Sequence, residues 1–206
     1  MDLGVLISGR GSNLQAILDA VADKRLDARV RLVLSNKAKA QGLERAAEAG
    51  VPTTVLSHLE FPDRESFDAA LVERLQQAGV EWVVLAGFMR IVTPVFLDAF
   101  PNRVINIHPS LLPSFPGVDA QAQALAYGVR VSGCTVHLVN EGVDAGPILA
   151  QAAVAVRQHD TRDELAARIL QEEHRLLVET LQTIAHGGLA IEAPAEGERP
   201  RVRLRR

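Results

Sequence analysis

The fold is decided by the stretch Leu3-Gly4-Val5-Leu6-Ile7-Ser8-Gly9-Arg10-Gly11-Ser12-Asn13. Residues 3–7 are apolar without alternation, which is typical of a parallel strand buried on both faces. A loop with two glycines follows, and a helical pattern begins at residues 14–18. Ser12 with Gln15 three residues later predicts a capping box at the start of this helix. The stretch therefore predicts a strand, a glycine loop and a helix N-terminus, the unit from which α/β domains are built.

The same alternation of strands and helices continues along the chain, with strands predicted at residues 30–34, 51–55, 82–86 and from Val104. Short connections between them predict a parallel, right-handed, doubly wound sheet. The next two predicted strands, 133–140 and 148–156, are separated only by residues 141–147, which is too short for a crossover helix and predicts antiparallel pairing. The predicted class is α/β, a Rossmann-like sheet with helices on both faces, parallel in the N-terminal half and mixed in the C-terminal half.

The domain organisation follows from the absence of any linker or repeat before Gly187. A long amphipathic helix is predicted over residues 162–184. We therefore predict a single domain over residues 1–187 and a C-terminal extension, 188–206, with short strands or partial disorder. The arginine-rich end of that extension, 199–206, suits anion binding, but an edge strand or a chain end in solvent explains it better.

The composition excludes several classes of function. The 206 residues are 48% hydrophobic and 23% charged with a net charge of −3, which argues against nucleic-acid or anionic-membrane partners. No apolar run approaches the ~20 residues of a membrane helix, and the N-terminus lacks a signal-peptide layout. The single cysteine, Cys134, excludes an internal disulfide, and the six histidines form no close-spaced metal-ligand pair. These features predict a cytoplasmic protein that needs no metal.

A second informative stretch is Val104-Ile105-Asn106-Ile107-His108-Pro109-Ser110-Leu111-Leu112-Pro113. Alternation in an extended chain places Asn106 and His108 on the same side, at the carboxyl end of a strand. The prolines that follow predict a stiff loop without helix. A carboxamide beside an imidazole is suited to stabilising a developing oxyanion. For an isolated Asn-x-His, however, satisfaction of turn backbone is the commoner role.

Other polar segments also follow predicted strands, where ligands of doubly wound sheets bind. In the glycine loop, Leu14 stands where the dinucleotide fingerprint requires its third glycine, so a single phosphate on Gly11, Ser12 and Asn13 suits the loop better than a pyrophosphate. A plain strand-to-helix turn explains this loop equally well. Asp144, in the loop 141–147, is by default a turn residue, although its position makes contact with His108 plausible.

The string Asn-Ile-His-Pro-Ser-Leu-Leu-Pro at 106–113, followed by Gly-Val-Asp-Ala-Gly-Pro at 142–147, resembles the folate-dependent formyltransferases. The resemblance extends from the first strand to about residue 173, and it is strongest to the members that act on phosphoribosylglycinamide. It implies transfer of a formyl group from 10-formyltetrahydrofolate, as cosubstrate, to the amine of phosphoribosylglycinamide in de novo purine (IMP) biosynthesis. The implied partners are these small molecules, with the protein a monomer or a homodimer.

The resemblance also implies roles for individual residues. Asn106 and His108 would stabilise a tetrahedral intermediate, and Asp144 would be the partner that keeps the His108 ring protonated. Ribonucleotide contacts are implied for Gly11, Ser12, Asn13 and Glu173. Folate contacts are implied for Arg64, Met89, Arg90, Ile91, Val92, Asn106 and Asn140. His137 also matches the family and is expected to support the site.

Three residues depart from the family. Many relatives carry histidine at the positions of Asp119 and Gln121, and one ribonucleotide contact is often glutamine where this chain has Leu170. Methionyl-tRNA formyltransferase and formyltetrahydrofolate hydrolase remain alternatives, but each has a further domain for which we expect no room in this chain. A non-catalytic nucleotide-binding module is the alternative from another class, and the intact catalytic residues argue against it.

Overall fold

The computed structural model describes residues 1–192 and 201–204, except for the side chain of residue 201. The chain forms two compact units, Met1–Asn106 and Ile107–Arg206. In the first unit, strands and helices alternate: β1 (Asp2–Ile7), α1 (Ser12–Ala22), β2 (Arg29–Ser35), α2 (Gln41–Glu48), β3 (Thr53–Val55), a 3-10 turn (His58–Glu60), α3 (Arg64–Gln77), β4 (Trp82–Leu85), α4 (Pro94–Ala99) and the start of β5 (Val104–His108).

The second unit takes up the last residues of β5 and continues with α5 (Ala120–Tyr127), β6 (Val131–Leu138), β7 (Ile148–Ala155), α6 (Arg162–Ala185), β8 (Leu189–Glu192) and β9 (Arg201–Leu204). Strands β6 and β7 pair antiparallel, as their short connection predicted. Strands β8 and β9 form a separate antiparallel pair.

The main sheet has the strand order β3-β2-β1-β4-β5-β6-β7. The pairs β1/β2, β1/β4, β2/β3 and β4/β5 are all parallel, and β6/β7 is antiparallel. This arrangement confirms the predicted α/β class with a parallel N-terminal half and a mixed C-terminal half.

The core of the first unit forms where α3 packs on the central strand β1. Leu71 and Leu75 of α3 are completely buried, as are Leu3 and Val5 of β1. A side chain at Gly4 would begin only 2.5 Å from the Leu75 side chain, so the glycine permits this close approach of helix and strand. The apolar residues from which the strands were predicted are therefore buried, and their burial stabilises the packing of the helices on the sheet.

The helix N-termini are capped in different ways. Asp63 caps α3 by accepting a hydrogen bond from the Ser66 N–H. The capping box predicted for Ser12 and Gln15 is wrong, because α1 already begins at Ser12 and its N-cap is Gly11, in a left-handed conformation. A capping box forms instead at Thr161 and Glu164, where α6 begins.

The C-terminal extension contains β8 and β9 among its described residues. The prediction of partial disorder covered residues 188–206 as a whole, and of these residues 193–200 and 205–206 lie outside the described part. The division into a domain over 1–187 and an extension over 188–206 stays a prediction. Within the described chain, none of the helices combines the length and apolar character needed to cross a membrane.

Candidate active site

Three of the predicted segments follow neighbouring strands of the first unit. Leu6 of β1 pairs with Leu85 of β4, and Leu85 pairs with Asn106 of β5. Because these strands are parallel, their carboxyl ends lie side by side. The glycine loop after β1, the loop after β4 and the half-buried Asn106 therefore lie at one edge of the sheet.

The glycine loop is packed tightly against the first turn of α2. The Gly42 N–H donates a hydrogen bond of 3.1 Å to the Gly9 carbonyl oxygen. Gly11 has φ of 71°, and a side chain there would begin 2.6 Å from the Gly42 Cα, so only glycine fits without displacing α2. Ser12 and the buried Asn13 are the first residues of α1. Their N–H groups belong to the helix N-terminus, which attracts anions.

The loop 87–92 is fixed to the end of β1 through Ser8. The Ser8 N–H donates to the Gly87 carbonyl at 3.1 Å, and the Ser8 hydroxyl accepts from the Met89 N–H at 2.9 Å. The same hydroxyl donates to the Asn36 carboxamide oxygen at 2.7 Å. Further along, the Arg64 guanidinium donates to the Ile91 carbonyl at 3.1 Å. The loop therefore reaches the sheet edge with several of its peptide groups anchored.

The anchored peptide groups belong to alternate residues of this loop. In the described chain, the main-chain groups of Phe88, Arg90 and Val92 make no hydrogen bond. The side chain of Met89 is 70% exposed, whereas Phe88 and Val92 are buried. The loop thus combines a fixed backbone, unpaired peptide groups and apolar surface, which suits a flat heterocycle.

In the second unit, His108 and Asp144 form a buried pair. The distance from His108 Nδ1 to Asp144 Oδ2 is 3.3 Å, and the side chains are 6% and 11% exposed. The sequence left Asp144 between a turn role and contact with His108, and the structure has that contact. The second ring nitrogen of His108, Nε2, lies 2.9 Å from the Phe115 carbonyl oxygen. Both ring nitrogens therefore face oxygen acceptors, an arrangement that the doubly protonated ring satisfies.

The loop after β5 contacts both members of the pair through its backbone. Besides the Phe115 carbonyl on His108, the Gly117 N–H donates to Asp144 Oδ2 at 2.8 Å. Phe115 and Asp144 both have positive φ, 55° and 48°, which is uncommon for residues other than glycine. Backbone held in such conformations is frequent at ligand sites.

His137 contacts the opposite oxygen of the Asp144 carboxylate. Its Nε2 lies 3.7 Å from Asp144 Oδ1, and its Nδ1 lies 2.8 Å from the Leu138 carbonyl oxygen. Burial raises the pKa of Asp144, but the contact with His137, the Gly117 N–H and the nearby imidazole charges outweigh burial and hold the pKa below its ordinary value. Asp144 is therefore an ionised carboxylate between two imidazoles.

Thr135 holds the loop after β5 in place, and the sequence analysis did not identify it. Its hydroxyl donates to the Ser110 carbonyl at 2.7 Å and accepts from the Leu112 N–H at 3.0 Å. Gln151 of β7 donates to both the Thr135 hydroxyl and the Leu112 carbonyl. A polar residue at a completely buried position of β6 was the available signal, but threonine is also a common strand residue.

The remaining predicted residues of the second unit differ in exposure. Glu173 is buried on α6. It lies near Cys134, whose pKa is raised to about 12 by burial first and then by the charge of Glu173. Asn140 is exposed, and its side-chain oxygen accepts from the Gly142 N–H at 3.1 Å. Asp119, a departure from the family, forms an exposed ion pair with Arg162 at 2.8 Å.

The described residues contain no cluster of histidine, cysteine and acidic side chains that would hold a metal ion. A cavity of about 630 Å³ in the first unit is lined by the first residues of β2, the end of α1 and the segment 49–52. It lies beside the amino-terminal half of β2, and none of the predicted site residues lines it. Its position argues against a catalytic role, since ligands of such sheets bind at the carboxyl ends of the strands.

Comparison with known proteins identifies relatives over almost the whole chain. The family model "Formyl transferase" matches residues 1–181. Phosphoribosylglycinamide formyltransferase of Escherichia coli (strain K12) is 43% identical over 195 residues, which are 95% of this chain and 92% of that protein. The trifunctional purine biosynthetic protein adenosine-3 of Drosophila pseudoobscura pseudoobscura is 49% identical over 201 residues, 97% of this chain but only 15% of the relative's length.

The solved structures agree with these relatives. The crystal structure of glycinamide ribonucleotide transformylase 1 from Symbiobacterium toebii is similar with a TM-score of 0.94 and 54% identity, covering 99% of this chain and 93% of that one. That of phosphoribosylglycinamide formyltransferase from Anaplasma phagocytophilum has a TM-score of 0.87 and 40% identity, covering 97% and 91%. The resemblance predicted from the two sequence motifs is confirmed.

Proposed function

The chain belongs to the formyl transferase family, and on that premise we propose that it transfers the formyl group of 10-formyltetrahydrofolate to the amine of phosphoribosylglycinamide. The observation that carries the proposal is the buried contact of His108 with Asp144, at the two motifs on which the resemblance rests. The relatives align with most of this chain, and their names support phosphoribosylglycinamide as the acceptor.

In the proposed reaction, the substrate amine attacks the formyl carbon and a tetrahedral intermediate forms. Its oxygen becomes negative, and N–H groups of Asn106 and His108 donate to it. The bond from the formyl carbon to N10 of the folate then breaks. The attacking amine loses one proton and N10 gains one, and the His108–Asp144 pair carries this transfer directly or through a water.

His108 can donate to the oxyanion only after a change of partner. Its Nδ1 faces Asp144 and its Nε2 faces the Phe115 carbonyl. We propose that the oxygen of the formyl group replaces the Phe115 carbonyl as the partner of Nε2, while Nδ1 stays in contact with Asp144. The carboxylate then fixes the ring and stabilises its positive charge during proton transfer.

The folate would bind along the loop after β4. The unpaired peptide groups of Arg90 and Val92 are donors and acceptors for the heterocycle, and the side chains of Met89 and Ile91 supply apolar contact. Arg64, already bound to the Ile91 carbonyl, is proposed to lie near the folate tail. Asn106 and Asn140 complete the proposed folate contacts.

The ribonucleotide would bind with its phosphate on the N-terminus of α1. The N–H groups of Gly11, Ser12 and Asn13 are the proposed donors, and the helix dipole favours the negative charge. Glu173 is the proposed contact from α6. A cytoplasmic location and a monomeric or homodimeric state stay predictions.

The function is tested by following release of tetrahydrofolate spectroscopically with phosphoribosylglycinamide as the acceptor. We expect turnover that depends on this acceptor and yields the formylated ribonucleotide. Formyl-methionyl-tRNA formation, hydrolysis to formate or equal reaction with simple amines at the same substrate concentrations would contradict the proposed acceptor.

A further inference from the structure

We propose that Asp68 is a positioning residue for the folate cosubstrate, because its buried carboxylate anchors the far end of the loop 87–92 to α3. The inference rests on the proposed function, since it takes this loop to be the folate site. Asp68 is one turn after Arg64 on α3. It was not singled out from the sequence, where an aspartate in a helix is usually a solvent-facing residue.

The main contact of Asp68 is with the backbone at Thr93. Asp68 Oδ2 accepts a hydrogen bond of 2.6 Å from the Thr93 N–H, and the aspartate is 3% exposed. Hydrogen bonds with a charged acceptor are shorter and stronger than neutral ones. A carboxylate is rarely so deeply buried without a specific partner, and here that partner is the residue at which the loop ends and α4 begins.

Helix α3 contacts the loop at two further points on the same face. Arg64 donates to the Ile91 carbonyl, and the Arg90 guanidinium lies over the Phe67 ring, 5.6 Å from its centre. Residues 64, 67 and 68 are spaced as neighbours on one helix face. Burial raises the pKa of Asp68, while the Thr93 N–H and the charges of Arg64 and Arg90 oppose that rise. The positive charges of Arg64 on α3 and Arg90 in the loop thus favour the ionised form of this buried carboxyl group.

With these contacts, every second residue from 87 to 93 has a peptide group that is held by a hydrogen bond. Ser8 holds the peptide groups of Gly87 and Met89, and α3 holds those of Ile91 and Thr93. The main-chain groups of the intervening residues are left unpaired in the described chain, and a ligand would need them at fixed spacing. Loss of the last anchor would leave the loop to be ordered on binding, which weakens affinity without altering the chemistry.

The test is Asp68→Asn, which keeps the shape of the side chain but removes its charge. We expect the KM for 10-formyltetrahydrofolate to rise about tenfold, equivalent to ~1.4 kcal/mol. We expect kcat and the KM for the ribonucleotide to stay within about twofold. The matched control is Glu65→Gln, which makes the same chemical change at an exposed residue of α3.

If Asp68 only stabilised the fold, its replacement would also change quantities that do not depend on folate binding. If Asp68→Asn lowers kcat, ribonucleotide binding and melting temperature together, or leaves the folate KM unchanged, the inference is overturned. A failure of this inference is distinguished from a failure of the proposed function by measuring the binding of tetrahydrofolate by calorimetry. A wild type that binds tetrahydrofolate but formylates no ribonucleotide contradicts the proposed function alone, and the inference then stands or falls on a tenfold weaker Kd in Asp68→Asn. A wild type that binds no tetrahydrofolate overturns both.

Discussion

His108 Nδ1 lies 3.3 Å from Asp144 Oδ2, with both side chains buried at the two motifs that carry the family resemblance. The Gly117 N–H and His137 contact the same carboxylate. A carboxylate with this many partners is fixed in orientation, and it fixes the imidazole in turn. The geometry therefore supports assigning the pair one joint role, in which removal of either member disables the other.

Asp144→Asn is expected to lower kcat by about 10²-fold or more, on the scale of losing one oxyanion donor, with little change in either KM. His108→Ala should lower kcat further than Asp144→Asn does. The double variant should resemble His108→Ala alone, because residues that act as a unit are not additive. The measurement is kcat against pH for the two single variants and the double variant. Multiplicative losses, or a wild-type kcat in Asp144→Asn, would return Asp144 to the role of a turn residue.

His137→Gln is expected to lower kcat about tenfold with both KM values nearly unchanged, because Asp144 would lose the contact that orients its second oxygen. His159→Gln removes an imidazole from an exposed position and is the matched control. The pH profile of kcat should change in His137→Gln and stay unchanged in the control. If both variants behave like the wild type, His137 only fills space in β6.

Ser12→Asp tests the phosphate site without disturbing the fold. The first turn of α1 contains no acidic residue, so an aspartate there should stabilise the helix slightly, by about 0.3–1 kcal/mol. The same charge would repel a bound phosphate, and we expect at least about a tenfold rise in the ribonucleotide KM with an unchanged folate KM. Ser12→Asn, of the same size but neutral, is the control. Equal rises in the KM values of both substrates would show that the phosphate does not bind at the N-terminus of α1.

Thr135→Val removes the hydroxyl that links Ser110 and Leu112 to β6 while conserving its shape. Buried backbone groups would lose a partner, so we expect the free energy of unfolding to fall by about 2–4 kcal/mol, measured by urea denaturation. Thr53→Val, at an exposed position of the edge strand β3, should be nearly neutral. A loss in Thr135→Val no larger than in the control would show that the loop is held by other contacts.

The sequence predicted the elements of the fold because buried strands and amphipathic helices leave periodic apolar patterns. Long-range contacts leave no such pattern. The capping box at Ser12 was wrong because Gly11 adopts its left-handed conformation against Gly42, a neighbour created by folding. Thr135 and Asp68 went unnoticed because each, by itself, suits an ordinary strand or helix position. The position of Asp144 in the sequence left both a turn role and contact with His108 open, and only the resemblance favoured the contact.

The pH dependence of stability gives an independent test of the charged state of Asp144. Its pKa in the folded protein lies below the ordinary value of 3.8, so the ionised form is favoured by folding. A lowered pKa contributes stability above the unfolded-state pKa, and this contribution is lost as the pH falls through the folded-state pKa. Between about pH 5 and pH 2, the stability advantage of the wild type over Asp144→Asn should therefore shrink, by at most about 1.4 kcal/mol per pH unit. Denaturation series for both proteins measure this difference. An advantage that is constant with pH, or that grows as the solution is acidified, would contradict an ionised Asp144 stabilised by its neighbours.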